Sequence, residues 1–473
     1  MCGVVGVFNR ERSAAPDLYI GLMSLQHRGK ESAGIVTSDG KKFFYKRGMG
    51  EVPQIFNERI IKNDFCGSLG IGHNRYSTVG DSNTKNIQPI RGIFRGRRRL
   101  SRGEEFWLGH NGQVKTMGLR KICKEAGAKI HGTSDTAVIA ALISISKKST
   151  LEEAILDVLP KLEGAFSLVI MTKDKLFAIK DSFGFRPLQV AKRGEDWIVA
   201  SESCVFDLIG AKFWHDIAPG EIMIIDKYIV YKSYWAKNIN PKFCIFEFIY
   251  FLRPDSQIFG IRAELCRERM GEYLAKEHPA LADIVIPLAD SGNAAALGYH
   301  KGLLKSGLNI DYHPYALFRP HTVGRTFIAP VQSLREFYLK LKFNPIPEII
   351  KVRKCASVDD SIVRLTTQRK VVNLLRGAGA KEVHARISSP PYRFPCFYGI
   401  DTYQIAHELV AERLNGDVEK IRQEAGLDSL GFLSLEFVIQ AIMDFANSRA
   451  WVDKDKFCAA CFTGEYPINP IEK

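Results

Sequence analysis

A ten-residue stretch in the second half of the chain places the strongest limit on how this sequence can fold. It reads Val358-Asp359-Asp360-Ser361-Ile362-Val363-Arg364-Leu365-Thr366-Thr367, between a candidate strand at Lys351–Val358 and a segment with apolar residues at helical spacing, Gln368–Ala378. Two carboxylates at a strand end, then hydroxyls that open a helix, suit a sugar phosphate. The acids accept ribose hydroxyls or hold hydrated Mg²⁺, and the helix N-terminus attracts phosphate. The alternative is an acidic turn whose Ser and Thr residues only cap the helix.

The length of the chain, 473 residues, predicts two or three domains. With 46% apolar and 25% charged residues, the composition is that of a globular protein. Met1–Val7 lacks the basic region and apolar core of a signal peptide. The densest apolar stretches, Ala137–Ile145 and Cys244–Leu252, are too short to span a bilayer. We therefore expect a cytoplasmic protein with no membrane partner.

The net charge of +14 raises the question of nucleic-acid binding. Part of that charge is concentrated in one run of arginines between Pro89 and Phe106: Arg91, Arg95, Arg97, Arg98, Arg99 and Arg102. The run has little periodicity, which is typical of a solvated loop, and no zinc-finger, basic-zipper or RNA-recognition signature accompanies it. A basic enzyme for anionic small molecules explains the charge equally well, so nucleic acid is not an expected partner.

The thiol of Cys2 would belong to the terminal residue if Met1 were removed. Its own α-amino group, a base with a pKa near ~8, would then be within reach of the thiol proton. This arrangement predicts a nucleophile. The alternative is that Cys2 is a small apolar residue at the start of a buried strand.

Four polar motifs follow Cys2 in the first half and offer what a glutamine substrate needs. These needs are a cation for the α-carboxylate, an amide and a backbone N–H for an oxyanion, and an acid for the amino group. The motifs are Gln26-His27-Arg28-Gly29-Lys30-Glu31-Ser32-Ala33-Gly34-Ile35, Gly72-His73-Asn74-Arg75-Tyr76-Ser77-Thr78, Gly109-His110-Asn111-Gly112 and Gly132-Thr133-Ser134-Asp135-Thr136.

In their order and number, these motifs resemble the class II glutamine amidotransferase domain. The resemblance implies an N-terminal-nucleophile α-β-β-α sandwich, over residues 2–238, that hydrolyses glutamine to glutamate and ammonia. It implies Cys2 as the nucleophile and an oxyanion hole formed by Asn111 and the N–H of Gly112. The implied glutamine-binding residues are Arg28, Gly29, Arg75 and Asp135. Lys30 departs from the family pattern, which usually has Gln there, as does Gln113-Val114, where Asn-Leu is usual.

The second half alternates strand and helix patterns. Candidate helices at Gly260–Ala275 and Ala294–Gly302 and candidate strands at Ile284–Leu288 and Val383–Ile387 predict a mostly parallel sheet, with ligands at the carboxyl ends of its strands. Together with the opening stretch, residues 239–473 resemble a type I phosphoribosyltransferase domain. The whole chain resembles the iron–sulfur-containing branch of the amidophosphoribosyltransferase family.

The family resemblance implies a reaction. Glutamine would aminate 5-phosphoribosyl 1-pyrophosphate (PRPP) to 5-phosphoribosylamine, with release of glutamate and pyrophosphate, in the first committed step of de novo purine biosynthesis. The implied PRPP-binding residues are Asp359, Asp360, Ser361, Thr366, Thr367 and Arg325. Mg²⁺ would be held by Ser291, Asp359 and Asp360. Purine nucleotides as feedback inhibitors and a homo-oligomer, dimer or tetramer, are also implied.

Four cysteines in the second half point to a metal cofactor: Cys244, Cys396, Cys458 and Cys461. Four thiols are the number that a [4Fe-4S] cluster takes, and a four-thiolate zinc site fits equally well on chemistry alone. The tail Phe457–Gly464 resembles the cluster-bearing branch of the family, which implies an iron–sulfur cluster with a structural or oxygen-sensing role.

Several departures from the family pattern lie in the transferase half, and two of them concern the opening stretch and the strand before it. Leu365 stands where the family has Gly, and a leucine in the left-handed conformation would cost roughly 1–2 kcal/mol. Lys354-Cys355-Ala356-Ser357 also has few of the Val and Ile residues expected of a central strand. The departures keep an alternative open, namely a paralogue with an active glutaminase half whose degenerate transferase half is a ligand-binding regulatory module. A further alternative is an amidotransferase linked to a sugar isomerase. Such proteins share only the first half, and the stretch Asp359–Thr367 argues against this alternative.

Overall fold

The first half of the chain forms a sandwich of two antiparallel sheets. The computed structural model describes residues 1–76, 82–96, 103–319, 343–446 and 451–470. In spatial order, the first sheet contains Lys212–Asp216, Gln189–Arg193, Asp196–Ala200, Gly3–Phe8, Leu69–Arg75, Ser32–Ser38 and Phe43–Met49. The second contains Val230–Tyr234, Glu221–Ile225, Leu176–Lys180, Gly164–Met171, Glu104–Val114 and Ile90–Phe94. Because Gly3–Phe8 lies at the centre of the first sheet, Cys2 directly precedes a buried central strand.

Helices cover the outer face of each sheet. The helices on the first sheet are Ala15–Ser24, Val52–Ile55, Glu58–Asn63 and Cys204–Leu208. Those on the second are Met117–Glu125, Asp135–Ile145 and Leu151–Val158. A third apolar cluster, which includes Val4, Ile71 and Val169, fills the space between the sheets. These four layers confirm the predicted α-β-β-α sandwich.

A five-stranded sheet with only parallel pairings lies at the centre of the second half. Its spatial order is Asp311–Tyr312, Ile284–Pro287, Lys354–Asp359, Glu382–Ile387 and Ser429–Phe432. Ala263–Glu277, Asn293–Lys305 and Leu435–Met443 pack on one face. Pro347–Ile350, Thr366–Gly377, Val410–Arg413 and Val418–Ala425 pack on the other. The predicted phosphoribosyltransferase-type architecture is confirmed.

The strand Lys354–Asp359 occupies the middle of this sheet despite its small residues. Ala356 lies in the same apolar cluster as Ala295, Ala296 and Tyr299 of the helix Asn293–Lys305. A small side chain at position 356 suits close packing of that helix on the sheet. The small residues noted from the sequence thus form a central strand all the same.

Short elements join the two halves. Phe243–Cys244 pairs in parallel with Phe457–Cys458, and a π-helical turn follows at Glu247–Phe251. The remaining strand pairs are Gln257–Ile258 with Ile261–Arg262 and Leu317–Phe318 with Asn344–Pro345, and a last helix is Ala460–Thr463. Met1, Ala165 and Phe185 of the first half belong to an apolar cluster of the second. The halves therefore share a core, and a domain boundary at 238/239 stays a prediction. In the described ranges, no helix is both long and apolar enough to cross a membrane.

Candidate active sites

Cys2 is buried between the central strand of the first sheet and the end of the neighbouring strand, Leu69–Arg75. Its backbone N–H donates to Oδ1 of Asn111 at 3.1 Å. Its Sγ lies 3.5 Å from both the N and the O of Tyr76. The residue that would be terminal after loss of Met1 is thus held beside two of the predicted glutamine-site motifs.

The geometry around Asn111 and Gly112 fits an oxyanion hole. The side chain of Asn111 is fully buried, and within the described part of the chain its Nδ2 has no hydrogen-bond partner. Gly112 has φ +149°, and a Cβ there would lie 2.0 Å from the carbonyl oxygen of Ala165. Only glycine fits this position. An unpaired buried donor costs free energy in the resting protein, which is typical of a group kept for a ligand.

Opposite charges flank this pocket. Arg75, 2% exposed, forms an ion pair with Glu31. Asp135 begins the helix Asp135–Ile145 and accepts from the N–H groups of Val114 at 3.2 Å and Thr136 at 2.8 Å. Nδ1 of His110 lies 3.7 Å from the Asp135 carboxylate.

Electrostatic contacts between His110 and Asp135 favour the charged form of both side chains. Burial alone would raise the pKa of Asp135, but the charge of His110 and the two backbone N–H groups hold that pKa below its usual value. Burial would likewise lower the pKa of His110, yet the Asp135 carboxylate raises it. Sequence reasoning gave His110 no role, although it lies within a motif that was recognised.

Arg28 is placed differently from the other predicted glutamine ligands. Its side chain is fully buried, with Nε donating to the carbonyl of Cys2 at 2.9 Å and the fork bound by Glu202 and Glu247. Gly29 allows the close approach of this turn to Arg75, because a Cβ on Gly29 would lie 2.6 Å from the Arg75 carbonyl. A direct contact of Arg28 or Gly29 with glutamine stays a prediction.

Glu202 and Glu247 were missed by the sequence analysis. Glu202 accepts from His27, Arg28, Ser256 and the N–H of Arg253. The signal for Glu247 was available, since it is a carboxylate inside the apolar run Cys244–Leu252, and a buried acid normally has a cationic partner.

The paired carboxylates of the second half lie where the sequence predicted them, at the carboxyl end of the central strand. Asp359 and Asp360 are both buried, and the N–H of Asp360 donates to the Asp359 carboxylate at 2.9 Å. The hydroxyl of Ser361 donates to Asp360 at 2.6 Å, and Nε2 of Gln368 donates to Asp359 at 3.2 Å. The other amide atom of Gln368, Oε1, is buried and has no partner among the described residues.

The loop after the carboxylates ends at the helix Thr366–Gly377, close to the predicted start at residue 368. Thr366 and Thr367 are exposed at its N-terminus, where a phosphate would be attracted, and Ser291 is half-buried beside the neighbouring strand. Arg325, which the sequence predicted to bind PRPP, lies outside the described residues.

Leu365 does not adopt the left-handed conformation that its position in the loop suggested. Its φ is −2°, so the left-handed penalty does not apply. The side chain is 4% exposed and lies in the apolar cluster with Ile362, Val371 and Val372. The leucine side chain therefore fills the core beneath the loop. It does not point into the phosphate pocket.

The four cysteines predicted to hold a cluster come together from three segments. All four are buried, and Cys244 lies directly opposite Cys458 in a parallel strand pair. Cys396 Sγ accepts from the N–H of Tyr398 at 3.3 Å and lies 3.9 Å from Nη2 of Arg186. Burial and the charges of the other thiols raise the pKa of Cys461, and burial raises that of Cys244 to about 11.

In the described part of the chain, neither the four cysteines nor the proposed Mg²⁺ ligands are arranged as a preformed site for one metal ion. In the ranges that the structure describes, no three His, Cys, Asp or Glu side chains stand together at the spacing of one metal site. A four-iron cluster separates its thiolates more widely than a single zinc ion does, and Mg²⁺ usually binds through one or two carboxylates, water and substrate phosphate. The four thiols fit either a four-iron cluster or a four-thiolate zinc site. Oε1 of Gln368, which has no partner among the described residues, suits Mg²⁺ or a ribose hydroxyl.

Comparison with known proteins identifies the family. Residues 73–207 match a family model described as a glutamine amidotransferase domain. The chain is 43% identical over 474 residues to amidophosphoribosyltransferase 1, chloroplastic, of Arabidopsis thaliana, covering 100% of this chain and 79% of that relative. It is 40% identical over 471 residues to the amidophosphoribosyltransferase of Bacillus subtilis, covering 99% and 94%. The chain belongs to the amidophosphoribosyltransferase family.

Two solved structures agree with this family assignment. The B. subtilis glutamine PRPP amidotransferase in complex with ADP and GMP has a TM-score of 0.89 and 39% identity, covering 100% of this chain and 98% of that one. A structure described as the allosteric regulatory enzyme of purine biosynthesis has a TM-score of 0.89 and 38% identity, covering 100% and 97%. The chain is accordingly a glutamine-dependent PRPP amidotransferase, the enzyme of the first step of purine biosynthesis. Nothing in these comparisons supports the regulatory-paralogue alternative.

Proposed function

We propose that Cys2, freed at its amino group by removal of Met1, attacks the carboxamide carbon of glutamine. The α-amine takes the thiol proton and returns it to the leaving ammonia, so a γ-glutamyl thioester and ammonia form, and water then releases glutamate. The observation that carries this proposal is the side chain of Asn111, which accepts from the N–H of Cys2 through Oδ1. Its Nδ2 is buried and has no partner among the residues that the structure describes. That Nδ2 and the N–H of Gly112 would stabilise the tetrahedral oxyanion.

Glutamine would be oriented by the charges around this pocket. Its α-carboxylate would replace Glu31 on the guanidinium of Arg75, and its α-ammonium would lie against Asp135. The helix that begins at Asp135 and the buried imidazole of His110, 3.7 Å away, hold that carboxylate in place. Lys30, which departs from the family pattern, forms an ion pair with Glu51 at 3.1 Å.

Ammonia would attack C1 of PRPP in the second half while the bond from C1 to the pyrophosphate oxygen breaks. Asp359 and Asp360 would accept the ribose hydroxyls, and Ser361, Thr366, Thr367 and the helix N-terminus would bind the 5′-phosphate. Mg²⁺, with Ser291 and the two aspartates near it, would neutralise charge on the pyrophosphate when bound. Arg325 is proposed to contact the same substrate.

The four cysteines would hold a [4Fe-4S] cluster at the junction of the halves. Cys244 and Cys458 belong to the strand pair that joins the C-terminal segment to the start of the second half, so a cluster there would stabilise the tail. No step of the reaction requires an electron, and the proposed role is structural or oxygen-sensing.

The proposals for regulation and assembly are based on the relatives of this chain. The B. subtilis structure was determined with ADP and GMP, and we propose purine nucleotides as feedback inhibitors of this enzyme as well. A homo-oligomer, dimer or tetramer, is proposed. The Arabidopsis relatives are named chloroplastic, so a cytoplasmic location for this chain stays a prediction.

Two substitutions test the assigned residues separately. Glutamate and pyrophosphate are measured with PRPP and Mg²⁺, once with glutamine and once with ammonium chloride as the nitrogen source. Cys2→Ser should abolish glutamate formation and keep ammonia-dependent pyrophosphate release, whereas Asp360→Asn should lower pyrophosphate release from both nitrogen sources. If Cys2→Ser still formed glutamate at the normal rate, or if Asp360→Asn released pyrophosphate normally, the corresponding assignment would be wrong.

A further inference from the structure

Cys2 is fixed by hydrogen bonds on both sides of its Cα. On one side its nitrogen donates to Asn111. On the other side its carbonyl accepts from Nε of Arg28 at 2.9 Å. These two contacts set how the terminal amine and the thiol are directed, and the second depends on what holds Arg28.

Arg28 is held by two carboxylates, one from each half of the chain. Nη1 donates to Glu202 at 2.6 Å and to Glu247 at 3.1 Å, while Nη2 donates to Glu247 at 2.9 Å. The three side chains are at most 1% exposed. Only Glu247 binds both nitrogens of the fork, which fixes the plane of the guanidinium.

Glu247 is itself anchored in the second half. It begins the π-helical turn Glu247–Phe251, whose backbone carbonyl at Phe248 accepts from Nε of Arg267 at 2.8 Å. Nη2 of the same arginine donates to the carbonyl of Leu252 at 2.8 Å. Arg267 is buried, and the charge of Asp360 in the PRPP site acts on it.

A second arginine joins Glu247 to the cysteines. Nη1 of Arg186 lies 3.5 Å from the Glu247 carboxylate, its Nη2 lies 3.9 Å from Sγ of Cys396, and its Nε donates to the carbonyl of Tyr398 at 2.7 Å. The buried set thus contains two arginines and two glutamates, with charges that balance. Glu202 cannot replace Glu247, because His27, Ser256 and Arg253 already occupy it.

We propose that Glu247, a residue of the transferase half, is a positioning residue for the glutaminase reaction. It orients Arg28, and Arg28 holds the carbonyl of Cys2 so that the thiol and the α-amine meet the glutamine carboxamide. The inference rests on the proposed role of Cys2 as nucleophile. It goes beyond that role because it makes the glutaminase geometry depend on a carboxylate that is anchored beside the second site and the cysteines.

The test is Glu247→Gln in the full-length enzyme, which keeps the shape and removes the charge. The expected result is a loss of roughly tenfold to a hundredfold in glutamine-dependent kcat, the size expected of a misplaced reacting group. KM for glutamine should change by less than about threefold, since Arg75 and Asp135 are untouched. Alkylation of Cys2 by iodoacetamide, followed by mass spectrometry of its peptide, should slow in step with kcat.

Two comparisons separate positioning from general damage. Ammonia-dependent pyrophosphate release should stay within about twofold of the wild-type rate in Glu247→Gln. The control is Glu221→Gln. Glu221 is a buried carboxylate in the first half, and its partner His215 lies 2.8 Å away. This variant should leave both rates and the Cys2 alkylation rate unchanged. Arg28→Lys should reproduce the Glu247→Gln kinetics, and the double variant should be no worse than either single one.

Three results would overturn the proposal. They are an unchanged glutamine-dependent kcat in Glu247→Gln, an equal loss of the ammonia-dependent rate, or fully additive effects of Glu247→Gln and Arg28→Lys. The proposed function would fail differently, through glutamate formation by Cys2→Ser, so the two failures are distinguishable.

Discussion

The amide of Asn111 binds Cys2 through its oxygen and keeps its nitrogen free of any partner in the described part of the chain. One side chain therefore links the position of the nucleophile to the group that would meet the oxyanion. Because Asn111 lies on the second sheet and Cys2 precedes the first, this link also fixes the relative placement of the two sheets at the pocket.

Substitution of Asn111 separates these two tasks. Asn111→Ala removes both contacts and should lower glutamine-dependent kcat by about 10²–10³-fold. Asn111→Asp keeps an acceptor for the N–H of Cys2 but places negative charge where the oxyanion forms, so its kcat should be at least as low. Steady-state kinetics with glutamine check this, and ammonia-dependent synthesis should be unchanged in both. An Asn111→Asp enzyme with near-normal kcat would mean that holding Cys2 is the residue's whole role.

The His110–Asp135 pair should make the free energy of unfolding fall both at low pH and at higher pH. The lowered pKa of Asp135 contributes stability above its unfolded value of ~3.9, and this is lost as the pH falls through the folded pKa. The raised pKa of His110 contributes stability below ~6.5, and this is lost as the pH rises through the folded value. The pair therefore contributes most between about pH 4 and 6.5.

The variant His110→Gln tests that pH window. The difference in Tm between wild type and variant should be largest near pH 5–6 and should shrink as the pH rises through the folded pKa of His110. Thermal unfolding in steps of half a pH unit measures it. A substitution of the exposed His407, 79% accessible at its side chain, serves as the control and should give no such profile. A Tm difference that is constant from pH 5 to 9 would contradict an ionised pair.

Leu365 should behave as a core residue. Its side chain is buried in one apolar cluster with Ile362, Val371 and Val372, so Leu365→Ala should lower the free energy of unfolding by about 2–4 kcal/mol. Leu374, half-buried on the same helix, should lose less when changed to alanine. Denaturant unfolding measures both. Leu365→Gly should likewise destabilise and should not raise pyrophosphate release, and a sharp rise would show that leucine limits the phosphate loop after all.

Sequence patterns predicted the elements whose determinants are local. The helix after the carboxylates was expected at 368–378 and spans Thr366–Gly377, because Val371, Val372 and Leu375 repeat at helical spacing and are all buried. The strand before it was expected at 351–358 and spans Lys354–Asp359, a shift of three residues at its start and one at its end. Motif order then identified the family, because each motif carries a group that the glutamine chemistry needs.

Contacts between distant segments were beyond such patterns. Arg28 meets Glu202 and Glu247 across 174 and 219 positions in the chain, so no local spacing signals the pairing. The conformation of Leu365 depends on the core beneath the loop, and the small residues of the strand Lys354–Asp359 depend on the helix packed above it. In each case the sequence shows the residue type, but only the tertiary fold shows which residues it contacts.

The cysteines give the last prediction. Cys244, Cys396, Cys458 and Cys461 are buried with the pKa of Cys244 raised to about 11 by burial, so without metal the thiol of Cys244 would be protonated at neutral pH. A bound cluster would deprotonate these thiols and link the C-terminal segment to residue 244. Protein purified without oxygen should contain about four irons and four acid-labile sulfides per chain. Cys458→Ser should lose both and lower Tm, whereas Cys66→Ser, at an exposed thiol, should change neither. Stoichiometric zinc without sulfide would show instead that the same four residues form a zinc site.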